Sequence, residues 1–179
     1  LSELTGLRFS VATNHFAAQA AHDDIVEASG ALKATAVSLT KMANDIRLLC
    51  SGPRAGIGEL TLHATEPGSS IMPGKVNPVI PEVVTQTCYA VMGNDVTITM
   101  CAEAGQLELN AFEPVAFYRL FESITAMTGA VKTLIDNCVS GITAKRFGLG
   151  YAPEGWRSLA SIFPAYDDAK LVECGLVIE

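Results

Sequence analysis

The chain has 179 residues, 49% of them hydrophobic, enough for one domain with a core of its own or one domain with an appendage. Its formal charge is −7 and its 12 Lys and Arg residues are scattered, which argues against a nucleic-acid-binding surface. No run of about 18 apolar residues marks a membrane span, and no basic-then-apolar leader opens the sequence. The opening "LSELTGLRF" lacks Met and reads as cut from something longer.

The first strong pattern runs from about Asn14 to Cys50. Ile25, Leu32, Leu39 and Ile46 recur at heptad spacing, and Ala28, Thr35, Met42 and Leu49 follow three behind, which predicts one long helix in a bundle. Ser29, Ala36 and Ala43 beside it are small and allow a neighbouring helix to come close. Thr13 or Asn14 can cap its start, and "SGPR" ends it, Gly52 suiting a left-handed terminal residue and Pro53 preventing continuation. Residues 51–80 read as a loop punctuated by Gly and Pro. Pro81 and Glu82 then open a second helix, continued by Val83, Val84, Cys88, Val91 and Met92. "GND" at 93–95 says turn locally, and "VTITM" after it alternates like a strand, yet a lone strand has no partner here, so the helix is carried through. After Pro114, the residues Val115, Tyr118, Phe121, Ile124, Thr128, Val131, Ile135 and Cys138 form another long helical stripe. From about Lys145 the texture changes: this part holds the single Trp and shows no long stripe, which predicts a small irregular module or tail.

Cys50, Cys88, Cys101, Cys138 and Cys174 are an odd count without a C-x-x-C pair, and most lie in apolar helical patterns, as buried thiols in a reducing compartment do. His15, His22 and His63 have no metal-ligand spacing, so no metal site is expected.

The chemistry concentrates in "EPGSSIMPGKVNPVIPE", residues 66–82, which holds four of the eight prolines. Its hydroxyls, one Lys and one Asn suit a substrate with carboxylates: Lys supplies a point charge, Asn a neutral donor, and backbone N–H groups can meet a developing oxyanion. The prolines limit the entropy lost on ordering over a ligand, and Gly68 and Gly74 permit close approach or hinge a lid. A Gly/Pro-rich connector between helices would have the same composition for structural reasons alone. Residue by residue, Ser70 could cap the loop, Lys75 could be solvated, Asn77 could hold a turn before Pro78, and Glu82 could be a first-turn acid. A free serine hydroxyl is also far too weak an acid at neutral pH to act unaided, and no Ser-His-Asp spacing is visible.

"GSSIMPGKVNP" (68–78) is similar to the signature of the fumarase/aspartase superfamily, G-S-S-x-M-P-x-K-x-N. "NDIRLLCSGPRAGIGEL" (44–60), "GND" and "AEAGQLELNAFEPV" (102–115) resemble the flanking stretches of that family, so the likeness runs from Leu1 to about Ala144. It implies an all-α fold, the second half of a central long-helix bundle domain spanning residues 1–144 with the signature loop at 66–80, followed by an unrelated tail at 145–179. It also implies a reversible anti β-elimination giving fumarate, from aspartate or from malate, with no cofactor, in a cytoplasmic homotetramer. By the resemblance Ser69 is the base, Ser70, Lys75 and Asn77 hold the carboxylates, and Glu82 pairs with a histidine from another segment. His15 and His22 do not fall on that histidine, which lies upstream in the family, so this chain is expected to be a fragment inactive alone. "NPVIPEVVTQ" and "AEAGQLELNAFEPV" look more like aspartases, whereas "FAAQAAHDDIVEASGALKATAVSLTKMANDIR" leans towards fumarases; the expectation is an aspartate ammonia-lyase, with fumarate hydratase or a non-catalytic helical assembly module as alternatives. The tail, "RFGLGYAPEGW" through "LVECGLVI", resembles a short stretch of bacterial DnaG-type primases without their zinc ligands or acidic polymerase centre, so primase activity is not expected.

Overall fold

The structure, a computed structural model, describes residues 1–52, 54–65, 71–72 and 74–144. The expected tail module at 145–179 lies outside the described residues. Among the described residues the chain is helical: α1 (Ser2–Thr5), α2 (His15–Ala20), α3 (Asp23–Leu49), α4 (Val79–Glu103) and α5 (Glu113–Asn137), followed by a single 3-10 turn at Val139–Gly141. Two short strands, β1 (Leu60–Thr61) and β2 (Thr143–Ala144), pair antiparallel, with Leu60 opposite Ala144 and Thr61 opposite Thr143. The expected all-α bundle of long helices is what forms, and the strand pair is a small addition that no periodicity announced.

Two boundaries differ from the expectation: α4 opens at Val79, two residues before Pro81, and the long helix expected upstream is divided. The helix expected from Asn14 is two helices, because Asn14 Oδ1 accepts from the Phe16 and Ala17 N–H groups, both at 3.1 Å, and so starts α2. Ala21 is extended (φ −100°, ψ 132°) and breaks the chain away. A fresh N-terminus then forms at Asp23, where Asp23 and Asp24 lie in a first turn whose exposed N–H groups favour negative charge. At the other end Gly52 takes φ +108°, the left-handed region its position required.

"GND" is helical, inside α4. The polar side chains that would support a local turn are committed to tertiary partners instead. Asp95 is buried and accepts from Ser29 Oγ at 2.8 Å and Lys33 Nζ at 2.5 Å. Asn94 Nδ2 donates to Glu122 Oε2 at 2.9 Å and Ser123 Oγ at 3.1 Å.

The chain divides into two compact units. The first combines Leu1–Thr35 with Ala90–Thr125. Its core is Ile25, Ile98 and Leu120, one residue from each long helix, with Val26, Leu32 and Phe117 packed against them. Asn110 closes the α4–α5 connection by donating from Nδ2 to Cys101 O at 2.9 Å, while its Oδ1 accepts from Phe112 N–H at 2.8 Å. His22 is also buried here, and its Nε2 has no hydrogen-bond partner among the described residues. The second unit, among the described residues, combines Ala36–Tyr89 with residues 126–144. It buries Ala36, Leu39 and Ala43 of α3, Val84 and Cys88 of α4, and Met127, Ala130 and Leu134 of α5.

The faces turned inward are not all those the spacing singled out. On α3 the small residues Ser29, Ala36 and Ala43 are buried with Ile25 and Leu39, while Ala28 and Thr35 are exposed. On α5 the buried line is Ala116, Leu120, Ser123, Met127, Ala130 and Leu134; Val115, Tyr118, Phe121 and Ile124 are exposed. α5 therefore carries two apolar faces, and a count of large residues selects the outer one.

Two outcomes follow from this core. Ile98 is completely buried, so Ile98→Ala should lower stability by about 2–5 kcal/mol, read from urea unfolding, because the cavity adds to the lost transfer energy. Cys138 is pushed up to about 11, first by burial and then by the neighbouring Cys50. Since its folded value lies above the ordinary one, the stability it contributes is complete below the ordinary thiol range and is lost as pH rises through about 11. At about pH 8, iodoacetamide should label Cys50 in the folded chain and leave Cys138 untouched, as read by peptide mass spectrometry; equal labelling would contradict the burial.

Candidate functional site

The loop between β1 and α4 is anchored at both ends by ordinary packing. Upstream, the chain leaving α3 folds back on itself: Ser51 Oγ donates to Leu48 O at 2.5 Å and accepts from Ile57 N–H at 3.2 Å. Gly56 is required there, because a Cβ at that position would lie 2.3 Å from the Ser51 carbonyl. Leu60 is buried and its strand is paired to β2, which fixes the chain just before the loop. The 3-10 turn leading to β2 lies close by, since a Cβ on Gly141 would come within 3.3 Å of His63 Cβ.

Ser69 and Ser70, the base and one carboxylate contact of the sequence reading, lie outside the described residues. The downstream limb is described. Lys75 N–H donates to Met72 O at 3.1 Å across a tight turn in which Gly74 has φ +81°, the conformation a glycine at this turn position supplies. The Lys75 side chain is exposed, a solvated cation on the loop. Asn77 is half-buried, and its carbonyl accepts from Val79 N–H at 2.9 Å, so it does hold a turn beside Pro78. Glu82 N–H donates to Pro78 O at 3.1 Å as α4 begins, which places Glu82 in the first turn of that helix.

The two stems of the loop enclose a cleft of about 200 Å³, including its open mouth, at the foot of the loop. Leu62, His63 and Thr65 line it from before the loop and Asn77 from after it, with Asn137 and Cys138 from the end of α5. Asn77 is thus the sequence-selected residue that faces this cleft. Cys138 has its thiol raised well above neutrality, so it is a wall and not a nucleophile.

Two polar residues here had no role in the sequence reading. His63 was weighed only for metal spacing; it lines the cleft. Arg47, in the last turn of α3, reaches Glu82: Nη2 is 3.5 Å from Oε1. Arg47 Nη1 donates to Asn44 Oδ1 at 3.4 Å, so the guanidinium is held on its own helix as well. An Arg in a last helical turn followed by a loop returning to an acidic first turn is the signal that could have suggested the pair.

Among the described residues, no three His, Cys, Asp or Glu side chains come together in a way that would hold a metal ion, and no helix is long and apolar enough to cross a membrane. The described part of the site offers one free-standing cation at Lys75, a carboxamide at Asn77 and a carboxylate at Glu82 paired to Arg47. Of these three, Asn77 lines the cleft, whereas Lys75 stands exposed on the loop and Glu82 is paired to Arg47.

A family model described as "Lyase" matches residues 1–93. The aspartate ammonia-lyase of Helicobacter pylori is 54% identical over 144 residues, covering 80% of this chain and 31% of that protein. The class II fumarate hydratase of Rickettsia bellii is 53% identical over 142 residues, covering 79% of this chain and 31% of that protein. Among solved structures, a fumarate lyase:delta crystallin from Brucella melitensis superposes with a TM-score of 0.78 at 46% identity, over 97% of this chain and 40% of that one. The chain thus spans about a third of the length of these curated relatives. On this likeness, and on a helical fold that matches, the chain belongs to the fumarase/aspartase superfamily of lyases.

Proposed function

We propose that this chain is part of an aspartate ammonia-lyase, catalysing the reversible anti β-elimination of L-aspartate to fumarate and ammonia. The observation that carries the reading is the unbroken G-S-S-x-M-P-x-K-x-N spacing at 68–77, followed at once by the helix that bears Glu82. In this reading Ser69, as an alkoxide, removes the proton from the carbon next to the β-carboxylate. The electron pair moves into that carboxylate, giving an aci-carboxylate dianion supported by Lys75, Asn77 and Ser70. Collapse of the dianion forms the double bond and expels ammonia from the neighbouring carbon. Glu82 pairs with a histidine of another segment and tunes it.

The working enzyme in this reading is a cytoplasmic homotetramer with each site completed by segments beyond this one. Its interface would cover the apolar side chains left open on α4 and α5, among them Tyr89, Val96, Met100, Tyr118 and Phe121. Residues 1–144 form the bundle segment and 145–179 a separate appendage. A second reading, fumarate hydratase acting on malate, is supported by the likeness to the Rickettsia bellii protein at nearly the same identity. The wording of "NPVIPEVVTQ" and "AEAGQLELNAFEPV" favours aspartate.

Fumarate absorbance decides between them. The chain alone should turn over neither L-aspartate nor L-malate. A hybrid in which residues 1–144 replace the matching stretch of the Helicobacter pylori aspartate ammonia-lyase should form fumarate from L-aspartate. In that hybrid Ser69→Ala should lower kcat on the order of 10²- to 10⁴-fold with assembly unchanged. Lys75→Ala should reduce transition-state stabilisation by roughly 1.5–3 kcal/mol, the loss of a charge-assisted hydrogen bond. An active Ser69→Ala hybrid would remove Ser69 from the mechanism, and malate turnover in place of aspartate would select the second reading.

A further inference from the structure

We infer that Arg47 is a positioning residue for Glu82, and through it for the C-terminal limb of the signature loop. The inference rests on the proposed role of Glu82 and extends it to a residue that neither the signature nor its flanks assign.

Glu82 sits four residues beyond Pro78, whose carbonyl its N–H caps, so its backbone is fixed by the first turn of α4. Its side chain is 37% exposed and could sample several rotamers in water. Arg47 restricts that freedom. Nη2 stands 3.5 Å from Oε1, and the other end of the fork is tied to Asn44 Oδ1 at 3.4 Å, so the guanidinium is braced on α3 before it meets the carboxylate.

As a half-exposed pair this contact adds little to stability. Its effect lies in direction. Among the described residues the carboxylate is engaged through Oε1, which leaves Oε2 for a second donor approaching from outside the chain. A histidine supplied by another segment, as the proposed function requires, would then meet an anion whose orientation Arg47 biases. Arginine suits this better than lysine because its planar fork can hold Asn44 and Glu82 at once. Arg47 also lies at the end of α3 just before the chain enters the stem of the loop. The pair therefore links the helix leading into the loop to the helix leading out of it.

The test uses the chain itself. Isotope-labelled Glu, assigned by loss of its signals in Glu82→Gln, reports the two Glu82 Hγ protons by NMR. They should be well separated in the wild type, merge towards an averaged shift in Arg47→Gln, and be partly separated again in Arg47→Lys, with the thermal midpoint nearly unchanged. Merged signals in the wild type, or no change in Arg47→Gln, would overturn the inference. In the active hybrid Arg47→Gln should lower kcat on the order of ten- to a hundredfold, as misplacement of a supporting group does, with KM within about twofold and partial rescue by Arg47→Lys. Unchanged kcat would overturn its catalytic side. A wild-type hybrid silent with both substrates would sink the reading of the loop instead, and the Glu82 signals would still decide whether Arg47 orients the carboxylate.

Discussion

Within the second unit, the limb of the loop that follows Gly74 depends on the first turns of α4 being held by buried residues. The loop to which we assign the chemistry hands over to that helix at Val79, so any looseness in the start of α4 becomes looseness in Asn77 and Glu82. Among the buried residues of α4 are Val84 and Cys88 in the second unit and Val91, Asp95 and Ile98 in the first, and each unit also buries small residues, Ala36, Ala43 and Ala130 in the second and Ala116 in the first. Small residues let helix backbones approach closely, and close-packed interiors resist the sub-ångström shifts that would blur a site. Asp95 adds a polar fixed point in the first unit, with Ser29 and Lys33 as its partners.

Much of this was legible in the sequence, and the failures have physical causes. The three long helices were readable because each keeps helical spacing for many turns. The passage of α4 through "GND" was recovered by reasoning that a lone strand would lack a partner; the local residues pointed the other way, and only tertiary contacts to Ser29, Lys33, Glu122 and Ser123 explain why they lost. The break at Ala21 was missed although "HDD" supplies an acidic first turn, because the apolar pattern hides a single extended residue. On α5 the large residues Tyr118 and Phe121 drew attention to the outer face, whereas the inner face is built from Ala116, Leu120 and Ser123. Hydrophobic size and burial part company when a helix has two apolar sides.

The site divides in the same way. Asn77 and Glu82 could be proposed because they lie at fixed distances along the chain from a recognisable loop, and the structure describes where they lie, not what they do. Arg47 and His63 could not be proposed, since one reaches the site from the far end of another helix and the other enters it through a strand pairing. A sequence shows which groups are chemically able to act. It does not show which ones a distant turn of backbone brings alongside them.

The short β1–β2 pairing has a consequence for the order in which the protein folds. Leu60 comes before α4 and α5 and its partner Ala144 after both, so the ladder joins positions far apart along the chain. Contacts of such long range close late, because the entropy of the intervening chain opposes them until the helices have already condensed. The upstream stem of the loop is therefore among the last parts to be secured. A nascent chain released before Ala144 would have its helices and still lack the tether that fixes where the loop begins.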